Sequence, residues 1–151
     1  MRQAEEIRYL LLAAQREGNR QLASQLGGIG LSPAQAEVLR ILGDHDGLTL
    51  NGVGEMLVCD SGSNPSRLVE RLVRAGLIER TADPADRRQV RLSLTPEGLE
   101  KEHETRLIED ALYDRIDAVP GVSDLAATLR KLVAGAPSGL ALSRRIGDRS
   151  V

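Results

Sequence analysis

Phenylalanine and tryptophan are absent, and the only aromatic side chains are Tyr9 and Tyr113. Modules that stack bases on aromatic rings, such as RRM or OB-type single-strand binders, are therefore disfavoured. An aromatic cage for a cation is excluded on the same ground, and the core has to be Leu, Val, Ile and Ala. The single cysteine, Cys59, cannot form an internal disulfide. No apolar run reaches the roughly 18 residues of a membrane span. The start, Met1 to Glu6, turns acidic at once and does not read as a signal peptide. A cytoplasmic protein with no membrane partner is expected.

Chemistry-bearing motifs are equally scarce. There are two histidines, His45 and His103. Glu100 and His103 stand at i and i+3, but a zinc site needs three or four ligands, preferably Cys or His. A solvated helix face is the better reading, and no metal or other cofactor is expected. Ser61 and Ser63 lie outside any Gly-x-Ser-x-Gly elbow. Phosphate-loop, zincin and dinucleotide fingerprints are missing. The chain is not expected to be an enzyme.

What is there is an ordinary globular composition, 41% hydrophobic and 28% charged over 151 residues, which argues against wholesale disorder and fits one domain. The net charge of −2 is unevenly spread. Between Asn64 and Arg91, Arg67, Arg71, Arg74, Arg80, Arg87, Arg88 and Arg91 face four acids, a local net of +3. Between Glu97 and Asp124 the local net is −6. A basic island in an acidic chain suggests a localised polyanion-binding face; a solvated mixed-charge surface is the plainer alternative.

Helical spacing of Ile7, Leu10, Leu11, Ala14, Leu22 and Leu26 predicts a helix over 5–26. Ser32-Pro33-Ala34-Gln35 is a capping box with proline at the first helical position. Asn51 is expected to cap a brief helix ending at Leu57, after a minimal strand at Leu48-Thr49-Leu50. Asn64-Pro65 opens a helix with Leu68, Val69, Leu72 and Val73 on one stripe and Ser66, Arg67 and Arg71 largely off it. Leu77–Thr81 and Gln89–Leu94 read as a hairpin with the charged tip Asp83-Pro84-Ala85-Asp86-Arg87-Arg88. Thr95-Pro96 opens a long helix to about Val119, and Ser123 is expected to cap a last one to Val133. The tail, 136–151, is read as mobile or as docking through Leu140, Leu142 and Ile146.

Helix, turn, helix and a hairpin with an arginine-rich tip describe a winged helix-turn-helix. Its second helix presents N-terminal side chains, here Ser66 and Arg67 with Arg71 one turn on, to the major groove. A wing arginine can enter the minor groove, where negative potential is concentrated.

The sequence resembles the MarR family of bacterial transcriptional regulators. The resemblance is carried by Leu31-Ser32-Pro33-Ala34-Gln35, Leu48-Thr49-Leu50, Arg67-Leu68-Val69-Glu70-Arg71-Leu72 and Gly76-Leu77-Ile78-Glu79-Arg80. It is strongest in the wing signature, Asp86-x-Arg88 followed by Leu94-Thr95. It implies a mostly α (α+β) fold with a β-hairpin wing. Within a single unit, 1–135, it implies a dimerisation helix (1–30), a DNA-binding core (31–95) and further dimerisation helices (96–135). It implies that Arg88 enters the minor groove, oriented by an ion pair to Asp86, with Arg87 near phosphate. The acidic 97–124 run then belongs to a dimer stalk away from DNA. The implied function is a homodimeric repressor of a palindromic double-stranded DNA operator, released by a small-molecule effector. That ligand would sit in the cleft between stalk and winged unit, where Tyr9 and Arg16 are placed by position alone.

The sequence departs from the family pattern before Arg67, where nine residues separate it from Leu57, one more than the family pattern implies. Two readings stay open. The recognition helix starts at Pro65, leaving Ser61 and Ser63 as loop residues on phosphate, or it starts near Ser61 and carries both on its face. The expected DNA-binding set is Ser61, Ser63, Asn64, Ser66, Arg67, Arg71, Asp86, Arg87 and Arg88. Two other functions compete: a redox-responsive regulator using Cys59, and a nonspecific architectural DNA-binding protein. Against the first, the family's sensing cysteines lie near the first helix, and the adjacent Asp60 disfavours a thiolate.

Overall fold

The computed structural model describes residues 1–59 and 64–147. Its elements are α1 (Gln3–Gly27), α2 (Pro33–Asp44), α3 (Leu50–Met56), α4 (Pro65–Arg74), β1 (Ile78–Ala82), β2 (Val90–Leu94), α5 (Pro96–Asp117), α6 (Val122–Val133) and α7 (Pro137–Ile146). The predicted mostly helical fold with a two-stranded wing is what the chain adopts.

Three helices begin with a side-chain cap followed by proline. The Ser32, Asn64 and Thr95 side chains accept from the backbone N–H of Gln35, Arg67 and Gly98. Each cap satisfies an orphan donor of the first turn, and proline has none to lose. At Ser32 the Gln35 side chain reaches back to close the expected box. Two caps differ from expectation. Thr49, not Asn51, caps α3, so the residue read as strand is the helix start. Gly121, with φ of 80°, precedes α6 in place of Ser123. Only glycine takes that left-handed conformation at low cost.

α2 is the hub. Val38, Leu39 and Leu42 pack with Leu26, Leu31, Val53, Leu68, Val69, Leu72, Ile78 and Leu92 in one aliphatic core. β1 and β2 pair antiparallel from Ile78↔Leu94 to Ala82↔Val90. Leu48 adds a single bridge to Leu92, all that remains of the third strand candidate.

The root of the wing is tied to the start of α5. The Thr95 hydroxyl donates to the Gly76 carbonyl and accepts from Gly98 N–H, and the Thr95 N–H donates to the Leu77 carbonyl. Gly98 is buried so close to Leu77 that a Cβ there would collide with the Leu77 carbonyl oxygen.

A buried ion network joins α2 to α5. Arg40 donates to Glu102 and, at 2.9 Å, to Glu109. Arg106 meets Glu102 again and Asp44 at 2.8 Å. The tail segment 137–146 is α7, packed on α3 and α6, with Ala141 buried.

Candidate nucleic-acid interface

α4 begins at Pro65, with Asn64 as its cap, which settles the first of the two helix-start readings for the described residues. Ser61 and Ser63 lie outside the described residues. Leu68, Val69 and Leu72 fix the inner face of α4 in the core, so Ser66, Arg67 and Arg71 face outward. The hairpin carries Asp86, Arg87 and Arg88 at its exposed tip.

The seven arginines of the basic island separate into two groups. Glu70 takes up two of them, Arg80 at 2.6 Å and Arg74 at 3.2 Å. Arg80, then Arg74, holds the Glu70 carboxyl below its ordinary range. Arg91 donates to Asp83 at 2.6 Å and to the Gly47 carbonyl at 3.2 Å, pinning the wing to the loop after α2. Among the described residues, Arg67, Arg71, Arg87 and Arg88 enter no ion pair. Four exposed guanidiniums are thus available to an outside anion, two on α4 and two on the wing.

The expected ion pair between Asp86 and Arg88 is not formed among these contacts. The Asp86 carboxylate instead accepts the backbone N–H of Arg88 at 3.0 Å, an Asx-type turn that shapes the tip. The acid that orients a wing arginine is Asp83, and its partner is Arg91. Asp83 is buried and also accepts Ala85 N–H at 2.9 Å. That bond first, and Arg91 second, keep its carboxyl below the ordinary range. The Asp83–Pro84 turn signal was visible in the sequence; its partner eight residues on was not.

Cys59 is half-buried. Its thiol is pushed up to about 11, by burial first and then by Glu37. A peroxide or disulfide sensor needs the thiolate, and this site favours the thiol. Alkylation at pH 7.5 should run about 100-fold slower than for an ordinary exposed thiol, with a rate still rising above pH 9. Iodoacetamide kinetics followed by mass spectrometry would measure it; a rate like that of a free thiol would restore the redox reading.

Among the described residues, no group of three or more His, Cys, Asp and Glu side chains is placed to hold a metal. Tyr9 and Arg16 sit on an exposed stretch of α1. A groove of about 380 Å³ opens between the end of α2 and α7, lined by Arg40, His45, Leu142, Arg145 and Ile146 among others.

A family model described as MarR family matches residues 29–89, the span that holds α2, α3, α4 and most of the wing. The chain is 33% identical over 98 residues to the organic hydroperoxide resistance transcriptional regulator of Bacillus subtilis (strain 168), covering 65% of this chain and 66% of that one. Over the matched residues, 29–89, the chain is of the MarR family. It spans 66% and 47% of the lengths of the curated regulators it matches. Among solved MarR-like structures, it is similar to CouR from Rhodococcus jostii RHA1 bound to p-coumaroyl-CoA, with 26% identity and a TM-score of 0.73 over 88% of this chain and 95% of that one. It is similar also to the repressor CouR bound to a 23-mer DNA duplex, with 26% identity and a TM-score of 0.71 over 86% and 92% of the two chains. Among the described residues, no helix of this chain is long and apolar enough to cross a membrane.

Proposed function

We propose that this chain is a sequence-specific DNA-binding transcriptional regulator, a cytoplasmic homodimeric repressor of a palindromic operator that a small-molecule ligand releases. The observation that carries it is the sorting of the arginines. Arg74, Arg80 and Arg91 are consumed inside the winged unit, while Arg67, Arg71, Arg87 and Arg88 stand exposed on the two elements that enter grooves in such folds. Asn64, Ser66 and Asp86 complete the surface, the first two as polar side chains at the start of α4 and the last as the shaper of the tip. CouR, to which this chain is similar, is bound to a 23-mer DNA duplex in its solved structure, which supports DNA as the partner.

Homodimerisation is supported by the apolar side chains left exposed on the outer helices. Leu10, Tyr9 and Leu12 of α1, Ile116 of α5 and Leu125 and Leu132 of α6 lie between 46% and 62% exposed. So many large apolar groups on three helices are more than single surface residues and fit an interface. Two winged units must then present their α4 helices about one DNA turn apart, ~34 Å, so a modest rotation of the stalk lowers affinity. A ligand lodged between stalk and winged unit is expected to act in this way. The p-coumaroyl-CoA complex of CouR supports a small-molecule effector, whose chemistry here is open.

The test is binding to the DNA upstream of the gene, with excess competitor DNA and at several salt concentrations. Competitor-resistant binding by a dimer is expected, with a slope of log affinity on log salt of about −4 to −7, as for four to eight neutralised phosphates. Binding that collapses with competitor would favour the architectural reading.

A further inference from the structure

Glu37 is an acid in the middle of α2, flanked in sequence by the buried Ala36, Val38 and Leu39, and it is 5% exposed. A carboxylate is buried at a cost unless its oxygens are occupied by donors and its charge is balanced. Both conditions are met. Its Oε1 accepts the Val58 N–H at 2.8 Å and Arg145 Nη1 at 2.7 Å, and its Oε2 accepts the Cys59 N–H at 2.8 Å.

These three donors come from two distant segments of the chain. Val58 and Cys59 follow α3 and lie five residues and more before Asn64, the cap of α4. Arg145 lies in the last turn of α7, 108 residues along the chain from Glu37. α7 is itself seated: Ala141 is buried, and the Arg145 carbonyl lies 3.2 Å from His45 Nε2. One carboxylate therefore joins α7 to the backbone that leaves α3 on the way to the recognition helix.

We infer that Glu37 is a positioning residue for DNA reading, that Arg145 balances its charge and holds it in place, and that displacement of α7 loosens the backbone of Val58 and Cys59 between α3 and α4. This rests on the DNA-binding reading above. α4 keeps its own anchorage in the core through Leu68, Val69 and Leu72, so the linkage governs how the chain is held before the helix, not the helix's existence. The effect has a sign that simple electrostatics does not share. Replacing Glu37 by Gln removes a negative charge and on that account should tighten binding to DNA. Loss of positioning weakens it.

The experiment measures DNA affinity and amide hydrogen exchange of full-length Glu37→Gln, Arg145→Ala and Arg145→Lys, with the exposed neighbour Arg144→Ala as a charge control. Glu37→Gln and Arg145→Ala should each bind about tenfold more weakly, and the double variant no more weakly than the worse single one. Arg145→Lys should recover part of the loss, and Arg144→Ala should bind nearly as wild type. The Val58 and Cys59 amides should exchange at least about tenfold faster in Arg145→Ala while amides of α5 keep their protection. Tighter binding by Glu37→Gln, or unchanged exchange at Val58 and Cys59, overturns the inference and leaves the DNA reading standing. If the wild type fails to bind DNA, the DNA reading and the role of Glu37 in it both fall. The exchange data then still decide whether α7 controls the backbone of Val58 and Cys59.

Discussion

Arg88→Ala is expected to lower affinity for the recognised DNA by about 10- to 100-fold while leaving the fold intact. The magnitude is that of a lost groove contact, about 1–3 kcal/mol. The guanidinium is exposed and has no ion-pair partner among the described residues, so its removal breaks nothing inside the wing. Thermal stability should move by no more than about 0.5 kcal/mol. Arg87→Ala makes the instructive comparison. An arginine on phosphate contributes equally on any sequence, so its loss should weaken binding uniformly and lower the salt slope by about one. An arginine in the minor groove reads width and potential, so the loss of Arg88 should also flatten the preference for narrow A·T-rich steps. Titration of both variants against matched and scrambled duplexes distinguishes the roles. If Arg88→Ala binds as wild type, the wing does not read DNA.

Arg40→Met is expected to be the most damaging single change away from the DNA face. Arg40 is 15% exposed and lies between Glu102 and Glu109, themselves 8% and 7% exposed. Removing the cation from a buried pair costs about 3–5 kcal/mol, because the carboxylates remain and water does not replace their partner. Glu102 keeps Arg106, so the lower end, about 3 kcal/mol, is expected. For a chain of this size that is a fall in melting temperature of roughly 6–12 °C. The triple variant Arg40→Met, Glu102→Met, Glu109→Met should lose less than the single one, since exchanging a whole buried ion network for apolar side chains is often neutral. Additive losses in calorimetry would mean that the carboxylates are better solvated than their burial implies.

The elements that could be read from the sequence are those whose cause is local. Ser32-Pro33, Asn64-Pro65 and Thr95-Pro96 each state a helix start in two residues, and each is one. The errors arise where a local signal had a competitor. Thr49 reads as strand within Leu48-Thr49-Leu50, which leaves Asn51 to cap α3, yet Thr49 is the cap. Ser123 reads as a cap because its hydroxyl can accept from the first turn, whereas the chain enters α6 through the left-handed Gly121. At the site, exposure of Arg67, Arg71, Arg87 and Arg88 followed from helical and hairpin spacing. Which acid neutralises which arginine did not. Asp83 rather than Asp86 forms the ion pair in the wing, and Glu37, unremarkable in an apolar helix, meets a side chain from the far end of the chain. Spacing predicts which way a side chain faces, and only the tertiary fold decides what it meets.

The close fit of Gly98 under Leu77, with Thr95 bonded to both Gly76 and Leu77, makes the wing and α5 one rigid piece at their junction. α5 has 22 residues and so extends about 33 Å from that junction. It is a lever whose short arm is the hairpin. A sideways shift of about 3 Å at its far end corresponds to a rotation of about 5° at the root, with no slack in the joint to absorb it. Displacements hardly larger than a bond length or two, made where α5 meets α6, are thereby converted into a change in the angle at which Arg87 and Arg88 are offered.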